Sequence, residues 1–317
     1  AAIKTDGTLW TWGAGTSGQL GNNDDTTDRS TPVTTFLGGT TWKQVSCGNL
    51  HTAAIKTDGT LWTWGSGIFV QLGINSATNR STPVTTFAGG TNWKQVSGGT
   101  NFTAAIKTDG TLWTWGYGFS GQLGINSATT KSTPVTTFLG GTNWKQVSAG
   151  GNHTAAIKTD GTLWTWGFGA FGQLGNNDST TNRSTPVTTF IGGTTWKQVG
   201  TGNVHTAAIK TDGTLWTWGQ GTYGQLGNND DTTDRSTPVT TFIGGTNWKQ
   251  VSGGYTHTAA IKTDGTLWIW GNGNTLQLGT NDTTLRSTPV TTFAGGTNWK
   301  QVSCGKEHTA ALISTEF

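Results

Sequence analysis

Five histidines, His51, His153, His205, His257 and His308, recur at one position before Thr, and Phe102 takes the place in the remaining repeat. Imidazoles serve as general bases and metal ligands, but a metal needs its donors within about 2.0–2.1 Å of one point. One imidazole per repeat spreads them out instead, and Phe102 shows that the position tolerates its loss. Hydrogen bonding at the start of a strand is the expected role. Carboxylates cluster in GNNDDTTDRS as Asp24, Asp25 and Asp28, and again as Asp230, Asp231 and Asp234. Oxygen-rich loops can hold calcium. The matching stretches GINSATNRS and GINSATTKS carry no carboxylate, however, and the spacing is not that of an EF-hand, so solvated loops are expected. Cys47 and Cys304 share one repeat position and read as two small buried thiols; a disulfide between them would require Cα atoms within about 4.4–6.8 Å. No nucleophile–base–acid constellation is visible, since aspartates such as Asp6 and Asp58 sit in Asp-Gly turns. The sequence therefore assigns no catalytic residue, no metal and no cofactor.

The elements that position these residues come from an internal repeat. AAIKTDGTLW begins at Ala1, Ala53, Ala104, Ala155, Ala207 and Ala259, in steps of 51–52 residues, and AALISTEF closes the chain from Ala310. Each unit contains four short runs rich in Val, Ile, Thr and Trp (WKQVS, HTAAIKT, GTLWTW and TPVTTF) bounded by Gly, Asp, Asn or Pro. KTDGT reads as a type I′ hairpin turn, and Pro32 and its equivalents read as opening a fourth, outer-edge strand. Four antiparallel strands per unit make a propeller blade. The expected fold class is an all-β, six-bladed β-propeller in one domain over 1–317, with terminal strands 299–313 closing the ring by a clasp of the two ends. In that clasp HTAALI is a spare second strand that competes with Ala1–Thr5 or displaces it. The alternative is seven blades with an upstream segment. Trp10 and Trp12 lie two apart and so on one face of a strand, and Trp42 adds an aromatic near the next blade; all 18 tryptophans fall at these three repeat positions, as expected of blade packing.

Composition narrows the function classes. A net charge of +3 on regularly placed lysines is not a basic stripe, so no nucleic-acid partner is expected. No apolar run is long enough to span a bilayer, and no membrane insertion is expected. Met is absent, so Ala1 is read as lying downstream of a leader or a further domain.

Trp-Gly-x-Gly-x-x-Gly-Gln-Leu-Gly, followed by Val-Ser-x-Gly-x-x-His-Thr, resembles the repeat of the regulator of chromosome condensation family and covers essentially the whole chain six times. Kelch repeats have a similar length, but their double-glycine and Tyr/Trp pattern does not fit. The resemblance implies a β-propeller, usually of seven blades. Some plant photoreceptors of this fold use tryptophans placed just before His-Thr; Leu50, Asn101, Asn152, Val204, Thr256 and Glu307 stand there in this chain, so light sensing is not implied. The family's founding role, nucleotide exchange on a small GTPase, depends on features outside the repeat that have no match here.

Between near-identical strands, two short stretches vary. After Trp-Gly the repeats differ at Ala14, Thr16 and Ser17; Ser66, Ile68 and Phe69; Tyr117, Phe119 and Ser120; Phe168, Ala170 and Phe171; Gln220, Thr222 and Tyr223; and Asn272, Asn274 and Thr275. Before His-Thr they differ at Asn49 and Leu50, Thr100 and Asn101, Gly151 and Asn152, Asn203 and Val204, Tyr255 and Thr256, and Lys306 and Glu307. In an up-and-down blade both stretches emerge at one end, whereas the invariant KTDGT and TF-x-GGT connections emerge at the other. Drift predicts change at both ends. A binding face of aromatic anchors among small polar residues fits better. The expectation is a non-catalytic ligand-binding propeller with hypervariable loops, of bacterial or viral type. It would act outside the cell or on a virion as an adhesin or phage recognition module for a protein or glycan on another cell. A secreted inhibitor resembling propeller inhibitors of β-lactamases, or a purely structural scaffold, are the alternatives.

Overall fold

Short β-rich runs cut by Gly, Asp and Pro bury little surface singly, and each repeat gathers them into one antiparallel sheet. The computed structural model describes residues 1–314 and has an all-β, six-bladed β-propeller fold: five complete four-stranded antiparallel blades whose strands follow in sequence order, together with one three-stranded and one two-stranded sheet. Its contacts fall into two compact units, Ala1–Asn152 with Ser184–Pro186, and His153–Arg183 with the residues from Val187 onward. Blades touch their neighbours along the chain, so division into consecutive stretches comes with the architecture.

In the first unit, Ala2–Ile3, Leu9–Gly13 and Arg29–Thr34 form a three-stranded sheet. Two complete blades follow, one from Trp42–Cys47 to Arg80–Thr85 and one from Trp93–Gly98 to Lys131–Thr136. The second unit contains complete blades from Trp196–Thr201 to Arg235–Thr240 and from Trp248–Gly253 to Arg286–Thr291. Its last two strands, Trp299–Cys304 and Thr309–Ile313, pair with each other from Trp299↔Ile313 to Cys304↔Thr309. This is the register of the first two strands of complete blades, Trp42↔Lys56 to Cys47↔Thr52 for example. HTAALI is thus not spare, and Ala2–Ile3 pairs separately with Trp10 and Leu9.

Two local readings need correction. KTDGT is not a type I′ turn: Gly7 has φ +80°, but neither Thr5 nor Asp6 has positive φ. The Gly7 N–H donates to the Lys4 carbonyl and the Lys4 N–H to the Thr8 carbonyl, both at 2.9 Å, a type I turn ending in a left-handed glycine. Asp6 fixes that choice by accepting from the Thr8 N–H at 2.9 Å and the Thr8 hydroxyl at 2.6 Å. A Cβ on Gly7 would lie 2.1 Å from the Thr40 carbonyl oxygen, so no other residue fits. The outer strand begins at Arg29, which makes Pro32 its fourth residue rather than its first; the strand pairs on one side only, where a missing N–H is harmless.

The core lies between blades. Buried Trp93 packs with Ala53, Ile55 and Leu61 of the preceding blade and with Val96, Ala105 and Trp115 of its own. Trp93 meets the rings of Trp113 and Trp115 edge-on, at 6.2 and 6.1 Å between centroids. Trp248 repeats the arrangement among Ala207, Ile209, Leu215 and Trp270. Side-chain amides tie first strands together: Gln44 Nε2 donates to the Val96 carbonyl and accepts the Val96 N–H on Oε1, each at 3.1 Å. The evenly spaced lysines lie over indole faces, with Lys107 Nζ 4.8 Å from the Trp93 ring centre and 4.6 Å from that of Trp113.

Candidate functional site

The two varied loops of a blade are joined by their backbones. Ser66 N–H donates to the Leu50 carbonyl at 2.7 Å, Tyr117 to Asn101 at 2.9 Å, Gln220 to Val204 at 2.9 Å and Asn272 to Thr256 at 2.9 Å. Both variable sets therefore lie at one end of each of these blades, hereafter its loop end.

A second clamp went unnoticed in the sequence. In Gln-Leu-Gly the invariant glutamine turns its Oε1 back to accept a backbone N–H from the varied loop. Gln19 takes Ser17 at 2.8 Å, Gln71 takes Phe69 at 2.9 Å, and Gln122 takes Ser120 at 3.0 Å. Gln173 takes Phe171 at 3.0 Å, Gln225 takes Tyr223 at 2.9 Å, and Gln277 takes Thr275 at 2.9 Å. The loop path is thus held by one unvarying side chain, whatever side chain the held residue carries. The only sequence signal was the invariance of this Gln immediately after variable positions.

In the first unit, Ala14, Thr16, Asn49, Leu50, Ile68, Phe69 and Phe119 are exposed, and Ser17, Thr100, Asn101, Tyr117, Ser120 and Asn152 are half-buried. Tyr117 bridges two blades there. Its ring meets Phe69 of the preceding blade at 5.5 Å and Phe119 of its own at 5.1 Å, both edge-on. Ile68 and Phe119 are 65% and 64% exposed, an apolar patch with no fold-internal reason to face water. Ser66 is a correction to the expected contact set: it is buried, its short side chain not reaching solvent at a position where the longer Tyr117, Gln220 and Asn272 are half-buried. In the second unit, Tyr223, Tyr255, Asn274, Lys306 and Glu307 are exposed, while Phe168, Phe171, Asn203, Gln220 and Asn272 are half-buried. Phe168 and Phe171 pack at 5.9 Å, and Lys306 Nζ stands 5.7 Å from the Tyr255 ring centre.

The recurring histidines belong to the framework beneath these loops. His51 Nε2 lies 2.9 Å from Thr103 Oγ1 of the next blade, and that hydroxyl donates to the Gln71 carbonyl at 2.8 Å. With the hydroxyl proton so used, His51 Nε2 is the donor. His153–Thr206, His205–Thr258 and His257–Thr309 repeat the contact at 2.8–2.9 Å. Burial pushes all four down from the usual imidazole value, His51 and His257 to about 4 and His153 and His205 to about 3, so they are neutral pegs.

Asp24 accepts from the Thr26 N–H and pairs with Arg29 at 3.0 Å, Asp230 does the same with Thr232 and Arg235, and Asp28 accepts the Gly15 N–H at 2.9 Å. Backbone and hydroxyl donors hold Asp24 and Asp230 at about 2, below the usual carboxylate range. Among the described residues no group of three or more His, Cys, Asp or Glu is placed to hold a metal ion. Both cysteines are free, and the expectation of two buried thiols fails for Cys47, which is exposed at the end of its strand. Cys304 Sγ donates to the Ser252 carbonyl, and burial raises its thiol to about 12. No helix among the described residues is long and apolar enough to cross a membrane.

A family model described as RCC1-like domain matches residues 8–316. The chain belongs to the RCC1-like domain family. This RCC1-like propeller is 33% identical over 317 residues to the ultraviolet-B receptor UVR8 of Arabidopsis thaliana, covering 98% of this chain and 72% of that protein. It is 30% identical over 324 residues to the human E3 ubiquitin-protein ligase HERC2, covering 99% of this chain and 7% of that one. Among solved structures, human WBSCR16 superposes with a TM-score of 0.87 at 22% identity, over 99% of this chain and 84% of that one. Prp20p of Saccharomyces cerevisiae, described with its binding properties to Gsp1p and histones, superposes at 0.84 with 19% identity, over 99% of this chain and 80% of that one. At these identities the two structures establish the propeller fold alone. With an RCC1-like domain over nearly its whole length and a receptor among its relatives, the chain is read as a ligand- or protein-binding propeller.

Proposed function

We propose that this chain is a non-catalytic recognition propeller that grips a protein partner with the loop ends of its blades. It would work outside the cell or on a virion, as an adhesin or a phage recognition module; a surface glycan is the other ligand class it would take. The observation that carries this reading is the glutamine clamp. Six loops keep one backbone path while their side chains range over Ser, Phe, Tyr and Thr at the clamped residue, so the surface chemistry varies without cost to the frame. Rigid aromatic groups on a fixed backbone lose little entropy on binding, and desolvated aromatics supply much of the energy of protein interfaces. Light reception is not carried over from UVR8, since the residues before His-Thr are Leu50, Asn101, Asn152, Val204, Thr256 and Glu307.

The test compares this chain with a variant in which Ile68, Phe69, Tyr117, Phe119, Phe168, Phe171, Tyr223 and Tyr255 are changed to Ser. Binding to bacterial surface proteins and to purified surface polysaccharides is measured on immobilised panels. Loss of a specific interaction at an unchanged melting temperature supports the proposal. Equal binding by both proteins, or none by either, sinks it.

A further inference from the structure

The end of each blade opposite the varied loops, its turn end, carries KTDGT and the TF-x-GGT connection. In the first unit the two are held together: Trp42 N–H donates to the Gly7 carbonyl at 3.1 Å, Trp93 to Gly59 at 3.0 Å and Trp144 to Gly110 at 3.0 Å. Each connection opens with a tight turn in which a glycine N–H returns to a threonine carbonyl, Gly38 to Thr35, Gly89 to Thr86 and Gly140 to Thr137, at 2.9–3.0 Å. A phenylalanine stands at the corner of each turn, and Phe36, Phe87 and Phe138 are 59–66% exposed. A Cβ on Gly38, Gly89 or Gly140 would meet nothing within 4 Å, so these tips stand clear of the blades. The second unit repeats the turn with exposed Phe190, Phe242 and Phe293.

Copying of the repeat does not by itself account for these tips. The residue after each phenylalanine has changed, through Leu37, Ala88, Leu139, Ile191, Ile243 and Ala294, and has stayed apolar although all but Ile243 are exposed. Unconstrained change at such a position would admit polar side chains, as it has at Gln220 and Asn272 of the loop ends. Charge is divided along the same line. The turn ends of the first unit set six lysines, Lys4, Lys43, Lys56, Lys94, Lys107 and Lys145, against three aspartates, Asp6, Asp58 and Asp109. Lys4, Lys56 and Lys107 lie over indole rings, while Lys43, Lys94 and Lys145 are exposed with no such cover. Over the whole chain, the turn ends hold twelve of the 19 Lys and Arg but six of the 16 Asp and Glu. They therefore carry a surplus of six cations, and the rest of the chain a surplus of three acids.

We propose that the turn ends rest on an anionic lipid bilayer, the Phe–aliphatic tips reaching the boundary between headgroups and acyl chains and the exposed lysines meeting acidic headgroups. A folded protein presents unlike chemistry to successive blades, whereas the turn ends present one tip again and again, which suits a target that looks alike from every blade. A bilayer does so, and it takes an apolar tip without a matched pocket. A repeating acidic polymer would satisfy the lysines but offers no apolar phase to the phenylalanines. The chain lies on the bilayer rather than across it, and the loop end of each blade stays free for its own partner.

Flotation of the unmodified chain with vesicles tests it. Binding to mixed phosphatidylglycerol and phosphatidylcholine vesicles is expected to be at least about tenfold tighter than to phosphatidylcholine alone, and to weaken as salt is raised. Changing Phe36, Phe87, Phe138, Phe190, Phe242 and Phe293 to Ser is expected to cut it at least about tenfold at an unchanged melting temperature. The loop-end variant described above should bind vesicles as the parent does. Hydrogen exchange of the unmodified protein, which does not depend on tolerance of the substitutions, should slow in residues 36–41 when anionic vesicles are added. Failure to bind anionic vesicles overturns the proposal, whether or not an immobilised acidic polysaccharide is bound. So does equal binding by the phenylalanine variant, which would leave charge alone as the cause, or protection confined to the loop ends.

Discussion

At the turn end of the third blade, Asp109 accepts from the Thr111 hydroxyl, Thr111 accepts from Trp113 Nε1, and Lys107 lies over Trp93 and Trp113. At the loop end of the same blade, the bonds that set the chain path leave from the backbone nitrogens of Tyr117 and Ser120. The turn end is fixed by side chains, so changing one breaks a bond; the loop end is fixed through main chain and one glutamine, so its side chains are free. Invariance of KTDGT therefore needs no ligand to explain it. What freedom alone does not explain is the choice of Ile68, Phe69 and Phe119 for water-facing positions. The turn end has exposed aromatics of its own, Phe36, Phe87, Phe138, Phe190, Phe242 and Phe293, identical in all six repeats, and nothing in the hydrogen bonding accounts for their constancy.

The contrast can be broken or sharpened by experiment. The largest effect is expected from acid. Histidines at about 3–4 when folded and 6.5 when unfolded take up protons on unfolding, so their stabilisation is complete above pH 6.5 and lost as pH falls toward 4. Each contributes a loss that steepens toward about 1 kcal/mol per pH unit at the acid side of that window. Melting temperatures recorded from pH 7 to 4 should fall steeply; a flat profile would mean that the pegs are solvated.

Gln71→Ala should come next, at about 1–3 kcal/mol, because the Phe69 N–H loses its acceptor in a partly buried loop. Urea titration measures the loss, and faster hydrogen exchange confined to residues 66–71 would locate it. Asp109→Ala at the turn end should cost less, about 0.5–1.5 kcal/mol, since its bonds are exposed. The smallest change in stability, within about 0.5 kcal/mol, is expected for Phe119→Ser. If Phe119→Ser destabilises as much as Asp109→Ala, the loop end is not free and the contrast fails.

Strand runs, turn residues and the 51–52-residue period made the blade legible in the sequence, because each depends on local chemistry that repeats identically. The two ends of a blade were legible for the same reason. What escaped depends on groups distant along the chain. Gln71 gave no hint that its side chain points back into a variable loop while its carbonyl receives Trp115 of the next blade. Ser66 belongs to a variable triplet, yet its side chain is too short to reach the surface. Trp12 reads like Trp64 and Trp115, yet it is exposed where they are buried. The Asp-Gly dipeptide allowed either hairpin type, and the Thr after it decided, by bonding to the aspartate.

The blade contacts also bear on assembly of the chain during synthesis. Gln44 to Val96, Gln95 to Val147 and Gln250 to Val302 are the same bond between the same residue types, as are the bonds from the indoles of Trp64, Trp115 and Trp270 to the carbonyls of Gln19, Gln71 and Gln225. Interfaces so alike carry no address: a blade emerging from the ribosome fits any earlier blade as well as its own neighbour. Only the shortness of the tether between blades orders them, so a newly made chain can be trapped in a misplaced but well-bonded docking. The uniformity that lets a repeat be gained or lost without redesign thus leaves proofreading of blade order to the length of the connecting loops.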